Sequence, residues 1–121
     1  MRMIAERYNA VIIGRGGFHV LRGHPGLVSV FLYAPIEFRA RRIMEIQGIS
    51  TIGKARAQIE TSDAQRAKFI RSLTGADWMD MRNYHLCIDT SRTGFPVAME
   101  MITKMVNKVK QSLAVNTEQK P

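Results

Sequence analysis

The residues with the clearest chemical potential lie at the end of an apolar segment. This segment, Asn9-Ala10-Val11-Ile12-Ile13, runs directly into Gly14-Arg15-Gly16-Gly17. A cation between glycines lies beside backbone that a ligand can approach closely, because glycine has no side chain. Ligands of open α/β folds collect where the strands end. We therefore expect Arg15 to contact a phosphate group.

A second chemical feature interrupts a helical pattern between Ser50 and about Leu73. One face of this predicted helix carries apolar residues at helical spacing: Ile52, Ala55, Ile59, Ile70 and Leu73. The same face, continued through the middle of the helix, carries Asp63 and Arg66. Burying these charges without partners would be costly. They therefore pair with each other at i, i+3, lie at a helix break, or face a polar cleft.

Cations are concentrated around that pair of charges. They are Arg39, Arg41, Arg42, Lys54, Arg56, Arg66, Lys68 and Arg71, opposed by Glu45, Glu60 and Asp63. Arginine suits phosphate recognition because its planar guanidinium donates parallel hydrogen bonds and stays charged. A solvated basic face is the alternative use of such residues, and we favour it for Arg41, Lys54 and Lys68.

Three strand-like segments are available to position these side chains. Ala10–Gly14, Val28–Ala34 and His85–Thr90 are almost continuously apolar, which is typical of strands buried on both faces in a parallel sheet. Helical patterns fill the intervals, so the sequence predicts an α/β layered domain. The predicted helices are residues 3–8, Phe18–Arg22, Ile36–Gln47, the helix capped by Ser50, and a last helix introduced by Gly94 and Pro96.

Charge and composition narrow the class of protein. The 121 residues carry a formal net charge of +8, which favours an anionic partner such as a nucleotide, a nucleic acid or an acidic surface. No apolar run approaches the roughly 20 residues of a membrane span, and we expect a soluble cytoplasmic protein without a membrane partner. Cys87 is the only cysteine, and its apolar neighbours predict a buried structural thiol.

Several familiar sites are missing from the sequence. It contains no Gly-x-x-x-x-Gly-Lys-[Ser/Thr] phosphate loop, and His19 stands where the dinucleotide fingerprint would need a third glycine. His19, His24 and His85 lack metal-ligand spacing, so we predict no metal site. Asp77, Trp78 and Asp80 are expected to form a structural polar turn with an aromatic anchor. Asp89-Thr90-Ser91 is expected to serve in a turn or cap.

The order of these features resembles the cytidylate kinase-like family, within the phosphate-loop nucleoside monophosphate kinases. The matching motifs are Val11 to Gly17, Val30 to Pro35 followed by Arg39 and Arg42-Ile43, Asp63-x-x-Arg66-x-x-Phe69, Asp77-Trp78, and Asn83 to Ser91. They cover nearly all of residues 4–110. Each motif is moderately specific, whereas their common order and spacing is a stronger signal.

The resemblance implies both a fold and a reaction. The fold is a three-layer, parallel-sheet kinase, and the reaction transfers the γ-phosphoryl group of ATP, with magnesium, to an acceptor such as CMP. Arg15 would hold the acceptor phosphate. Asp63 and Arg66 would belong to a lid segment, residues 50–74, with Arg39 and Arg42 as further phosphate-binding candidates. Gly16 stands where cytidylate kinases proper have an aspartate, which weakens the case for cytidine-specific recognition.

The resemblance also implies a truncated fold of about three strands with flanking helices. We expect residues 1–113 to be the C-terminal part of a kinase-like domain and residues 114–121 to be a polar tail. Family members carry a central strand and phosphate loop for which this sequence has no counterpart. Without that strand, the strands at Ala10–Gly14 and Val28–Ala34 must pair directly or expose unpaired edges. We expect a fragment, inactive alone, whose partner is a missing N-terminal segment or a second copy.

Two other functions remain open at this point. One is a non-catalytic basic module that binds nucleotides or nucleic acid, against which stands the scarcity of aromatic residues within the basic stretch. The other is a structural or regulatory remnant that works only in an oligomer.

Overall fold

The computed structural model describes residues 9–14 and 16–119, with side chains described as far as residue 115. In chain order the elements are α1 (Gly17–Val20), β1 (Val30–Tyr33), α2 (Ile36–Gln47), α3 (Ile52–Thr74), a 3₁₀ turn (Met81–Asn83), β2 (Leu86–Asp89) and α4 (Thr90–Gln119). The helix predicted for residues 3–8 and the side chain of Arg15 lie outside the described residues.

The strands β1 and β2 pair in parallel, as the apolar patterns predicted. The register places Val30 opposite Leu86 and Tyr33 opposite Asp89. The chain between them contains α2 and α3, since a parallel pair needs a long crossover connection. The α/β fold class is therefore confirmed, with both strands shorter than their apolar runs.

The strand predicted at Ala10–Gly14 does not form, and this prediction was wrong. In the described part of the chain the sheet has two strands, against an expected number of about three. Val11 and Ile13 are 92% and 87% exposed. An extended segment becomes a strand only when its backbone groups meet a neighbour, and in the part of the chain that the structure describes β1 pairs with β2 alone. Without the central strand, the flanking strands were expected either to pair directly or to leave unpaired edges. Among the described residues, β1 has an unpaired edge.

The best-packed region is a pair of helices, α2 and α3, which we call the helical hairpin. Ala40, Ala55 and Ile59 form its buried centre, and Ile36, Ile43, Met44 and Ile49 pack around them. Alanine at two of the central positions lets the helix backbones approach closely, so the partly buried residues can close over the contact.

The ends of the helical hairpin follow local chemistry. Thr51, and not the predicted Ser50, caps α3: its hydroxyl accepts a hydrogen bond from the Lys54 amide at 3.3 Å. Gly75 ends α3 with φ 73°, and its amide donates to the Arg71 carbonyl at 2.8 Å. A left-handed glycine after the last turn is a common helix stop.

The last helix, α4, differs from its prediction at both ends. It includes Thr90, although Gly94 within it is non-helical, with φ 71° and ψ 168°. The long helical portion therefore begins beyond Gly94, next to Pro96, as the sequence predicted. It also continues beyond Leu113 and through polar residues as far as Gln119.

Cys87 is exposed, so the prediction of a buried thiol was wrong. Alternate residues of a strand face opposite sides of the sheet. The neighbouring Ile88 is only 2% exposed, as is expected for the side that α4 contacts. Cys87 lies on the other side, where a sheet of two strands has little to cover it.

Candidate functional site

Arg39 and Asp63 meet between the two helices of the hairpin. The Arg39 guanidinium donates two hydrogen bonds of 2.8 Å, one to each carboxylate oxygen of Asp63. Both side chains are about one-third exposed, at 35% and 30%. The hydrogen bonds to Asp63 raise the pKa of Arg39 above its ordinary value, although partial burial opposes this. The contact fixes the position of an arginine that the sequence singled out.

This geometry excludes two of the three arrangements that the sequence left open for Asp63 and Arg66. Asp63 pairs across the hairpin and not with Arg66, so the local i, i+3 pair was the wrong alternative. The helix is continuous from Ile52 to Thr74, so a break was wrong as well. Asp63 instead pairs with an arginine of the neighbouring helix, an arrangement that the sequence did not predict. A cleft-facing position for Arg66 stays a prediction.

Arg66 rests on an aromatic ring. Its guanidinium carbon lies 5.2 Å from the centroid of the Trp78 ring system, within cation–π range. Trp78 lies in the turn that follows α3. Among the residues that the structure describes, Arg66 forms no ion pair with a carboxylate.

Arg42 is held in a similar way on the other helix of the hairpin. Its guanidinium carbon lies 4.4 Å from the centroid of Phe95, at the start of the long portion of α4. Arg42 lies one helical turn after Arg39, just as Arg66 lies one turn after Asp63. Among the described residues, a carboxylate pairs with only one of these three arginines, Arg39, so the charges of Arg42 and Arg66 are not neutralised by an ion pair.

Further polar contacts join the two helices away from these arginines. Arg56 pairs with Glu37, and the Gln58 amide donates to Gln47 at 2.9 Å. The helical hairpin is therefore held together by several contacts other than the Arg39–Asp63 pair, and that pair is available for another role.

The glycine-rich turn after residue 13 contacts the far end of α3. Gly16 is buried, with φ +69°, and a Cβ atom there would lie 3.5 Å from both Leu73 and Thr74. The Gly17 amide donates to the Gly14 carbonyl at 3.3 Å. Arg15 itself is outside the described residues, so its expected phosphate contact stays a prediction.

Other candidates from the sequence have structural roles. The Nδ1 atom of His85 accepts a hydrogen bond from the Ser29 amide at 3.0 Å, which links the residues preceding the two strands. Asp89 accepts hydrogen bonds from the amide and hydroxyl of Ser91, at 3.0 and 2.6 Å. This is the turn-and-cap use predicted for that segment.

The sequence did not identify the aromatic platforms under the arginines. Trp78 was predicted to be a structural anchor, and Phe95 was not singled out. A single tryptophan three positions after Gly75, the glycine that ends a basic helix, was the available signal for the first. For Phe95 the sequence offered none, since it is distant in the chain from Arg42.

The fold and the arginines of the hairpin together define a class: a parallel α/β domain with a basic helical hairpin suited to anions. The sequence profile of the cytidylate kinase-like family matches residues 1–92. The cytidylate kinase of Methanopyrus kandleri is 31% identical over 99 residues, which are 75% of this chain and 51% of that protein. The cytidylate kinase of Pyrococcus abyssi is 36% identical over 89 residues, covering 73% of this chain and 47% of that protein.

The chain belongs to the cytidylate kinase-like family. It spans about half the length of the curated relatives it matches. A crystal structure of an uncharacterized protein from Eubacterium ventriosum shares the fold, with a TM-score of 0.75 and 24% identity. That comparison covers 88% of this chain and 59% of the other.

Among the described residues, no helix has both the length and the apolar character to cross a membrane. The same residues contain no group of three or more His, Cys, Asp or Glu side chains that could hold a metal ion.

Proposed function

We propose that this chain supplies the arginine-bearing part of a cytidylate kinase-like phosphotransferase. In the complete reaction, the γ-phosphoryl group of ATP is transferred to a nucleoside monophosphate such as CMP. Arg39, Arg42 and Arg66 contact the nucleotide phosphates, and Arg15 holds the acceptor phosphate. Asp63, which belongs to the lid segment of residues 50–74, orients Arg39 on the neighbouring helix.

The observation that carries this proposal is the arrangement of the three guanidinium groups. Arg42 and Arg66 each lie on the face of a ring, which leaves their N–H groups directed outward in the guanidinium plane. Arg39 keeps its orientation through Asp63. Phosphoryl transfer is catalysed mainly by positioning and by neutralising the charge that spreads over the phosphate oxygens. Arginines held before the ligand arrives meet that requirement.

The same residues do not build a magnesium site. Asp63 is committed to Arg39, and the described residues offer no set of acidic ligands around a common point. We therefore assign magnesium to the nucleotide and to other parts of the complete enzyme. Arg39, Arg42 and Arg66 have the donor chemistry that the phosphates of ATP and of the acceptor require, and we assign this chain the role of holding them.

We further propose that the 121 residues are inactive alone. The sequence contains no glycine-rich phosphate loop, and the outer edge of β1 has no neighbouring strand among the described residues. A strand carrying such a loop could pair with that edge, since edge strands present unpaired backbone donors and acceptors.

Phosphoryl transfer from ATP to CMP, dCMP or UMP tests both statements. The chain is assayed alone and after refolding together with the N-terminal half of the Pyrococcus abyssi enzyme. We expect no turnover alone and measurable turnover in the mixture. Robust turnover by the isolated chain would contradict the inactivity. The proposed function fails if ATP and CMP neither react in the mixture nor protect the chain from unfolding.

A nucleic-acid-binding module is the second candidate, favoured by the exposed cations of the hairpin. Arg41, Lys54, Lys68 and Arg71 are all exposed and form no ion pair within the described residues. This function predicts binding of single-stranded RNA that weakens steeply with salt, because phosphate contacts release counterions. Tight RNA binding together with no protection by ATP or CMP would favour it over the kinase.

A further inference from the structure

Trp78 is fixed to the sheet by contacts on two sides. Its ring system meets the Phe31 ring edge-on, at 5.4 Å between centroids and 83° between planes. The Trp78 carbonyl accepts a hydrogen bond from the Tyr84 hydroxyl. The Tyr84 ring in turn stacks on Phe31, with centroids 4.9 Å apart. The indole is therefore anchored to β1 and to Tyr84, which directly follows the 3₁₀ turn.

Arg66 is the one cation that this indole contacts among the described residues. It lies on α3, and its guanidinium carbon is 5.2 Å from the indole centroid. Its nearest acidic neighbour along the helix face, Asp63, is already occupied by both hydrogen bonds of Arg39. Without the indole, nothing in the described structure would restrict the exposed Arg66 side chain to one orientation.

A ring holds an arginine differently from a carboxylate. Stacking uses the face of the guanidinium and leaves its N–H donors, which point outward in the plane, available for a phosphate. A carboxylate occupies some of these donors and competes with the ligand for them, as Asp63 does on Arg39, where two of the five N–H groups are taken. Trp78 therefore supports Arg66 without consuming the hydrogen-bonding capacity that recognition needs.

We propose that Trp78 is a positioning residue for Arg66, linking the sheet to the arginine that contacts nucleotide phosphates. The proposal rests on the proposed function, because it requires Arg66 to bind phosphate. Trp78 acts through Arg66 and does not itself contact the ligand. An aromatic ring at this position is required, whereas the indole nitrogen is not.

The chain offers a direct readout, because Trp78 is its only tryptophan. Sodium tripolyphosphate is titrated into the full chain at constant ionic strength, with binding followed by calorimetry and by Trp78 emission. We expect the emission change to saturate together with the heat of binding. Arg66→Met should abolish the emission change. Lys68→Met, which removes the same charge two positions further along α3, should retain it.

The effect of the ring itself is measured by substitution. Trp78→Leu should weaken tripolyphosphate binding roughly two- to fivefold, the range expected for an exposed cation–π contact. Trp78→Phe should restore most of the affinity, since it keeps a ring face under Arg66. Phe31→Leu, which alters the anchor of the indole, should have an intermediate effect.

The outcomes separate this inference from the proposed function. Unchanged affinity in a folded Trp78→Leu variant, or an emission change that survives in Arg66→Met, would overturn the positioning role alone. Failure of the unaltered chain to bind tripolyphosphate would overturn both statements. If Trp78→Leu does not fold by circular dichroism, the Trp78→Phe affinity and the emission of the Arg66→Met variant decide.

Discussion

The centre of the helical hairpin is buried between its own two helices, whereas Val11 and Ile13 are left uncovered by the residues that the structure describes. Ile59 in the hairpin is 2% exposed, and Val11 is 92% exposed. The partners of the hairpin lie close together in the sequence, joined by the short loop at residues 48–51. A strand needs a neighbour supplied from elsewhere. The hairpin is packed because its two helices are close together in the sequence, whereas residues 9–14 depend on a more distant partner.

The candidate site shows the same difference between its hairpin arginines and its glycine-rich turn. Arg39, Arg42 and Arg66 are held by contacts that the helices and the adjoining rings provide. The glycine-rich turn follows a segment that lacks strand partners. We therefore expect phosphate binding by the hairpin to be separable from turnover, which needs the rest of the kinase.

The largest effect should come from the centre of the hairpin. Ile59→Ala is expected to lower the free energy of unfolding by about 2–4 kcal/mol, because it leaves a cavity beside Ala40 and Ala55. Ile13→Ala removes the same atoms from a residue that is 87% exposed and should change the free energy of unfolding by less than about 0.5 kcal/mol. Urea unfolding of both variants measures the difference. Equal losses would show that residues 9–14 are packed in solution.

Two glycine substitutions should shift stability in opposite directions. Gly16→Ala places a side chain at φ +69° beside α3 and should cost about 1–2 kcal/mol. Gly53→Ala lies in the first turn of α3, where an added Cβ meets nothing within 4 Å, and should stabilise by about 0.4–1 kcal/mol. Thermal unfolding midpoints should move to opposite sides of the unaltered chain. A stabilising Gly16→Ala would contradict the observed turn.

The Arg39–Asp63 pair should contribute less to the free energy of unfolding than these core and glycine positions. A double-mutant cycle with Arg39→Met and Asp63→Asn is expected to give a coupling of about 0.5–1 kcal/mol, because the pair is bidentate but one-third exposed. The cycle for Arg56 and Glu37, which join the same helices at more exposed positions, should give less. Coupling is measured by urea unfolding at low and high salt. A larger coupling energy for Arg56 and Glu37 would contradict the expectation that the Arg39–Asp63 pair is the stronger one.

Alkaline pH should affect the sheet side of the molecule. Burial, together with the nearby Cys87 and Asp77, raises the pKa of Tyr84 to about 12. An unfolded tyrosine has a pKa of about 10, so the folded state retains the proton more strongly. The stabilising contribution is complete below pH about 10 and is lost as pH rises towards about 12. Tyr84→Phe should lose less stability across that window, and identical profiles would contradict the shift.

The spacing of apolar residues in the sequence was sufficient to predict both helices of the hairpin. The predicted bounds of α2, Ile36–Gln47, match the structure, and α3 differs only by one residue at each end and in its capping residue. Apolar spacing, a hydroxyl cap and left-handed glycines act over a few residues, so they can be recognised in a sequence. The partner of Asp63 could not be recognised in this way, because Arg39 lies 24 positions away on another helix.

The sequence by itself determined the α/β class, the family resemblance and which arginines to consider. Only the tertiary structure decided that Arg39 pairs with Asp63, that Arg42 and Arg66 lie on Phe95 and Trp78, and that Cys87 is exposed. It also decided that residues 10–14 are not a strand. Helix formation depends on near neighbours, whereas strand pairing, burial and ring stacking depend on residues that folding brings together from distant positions.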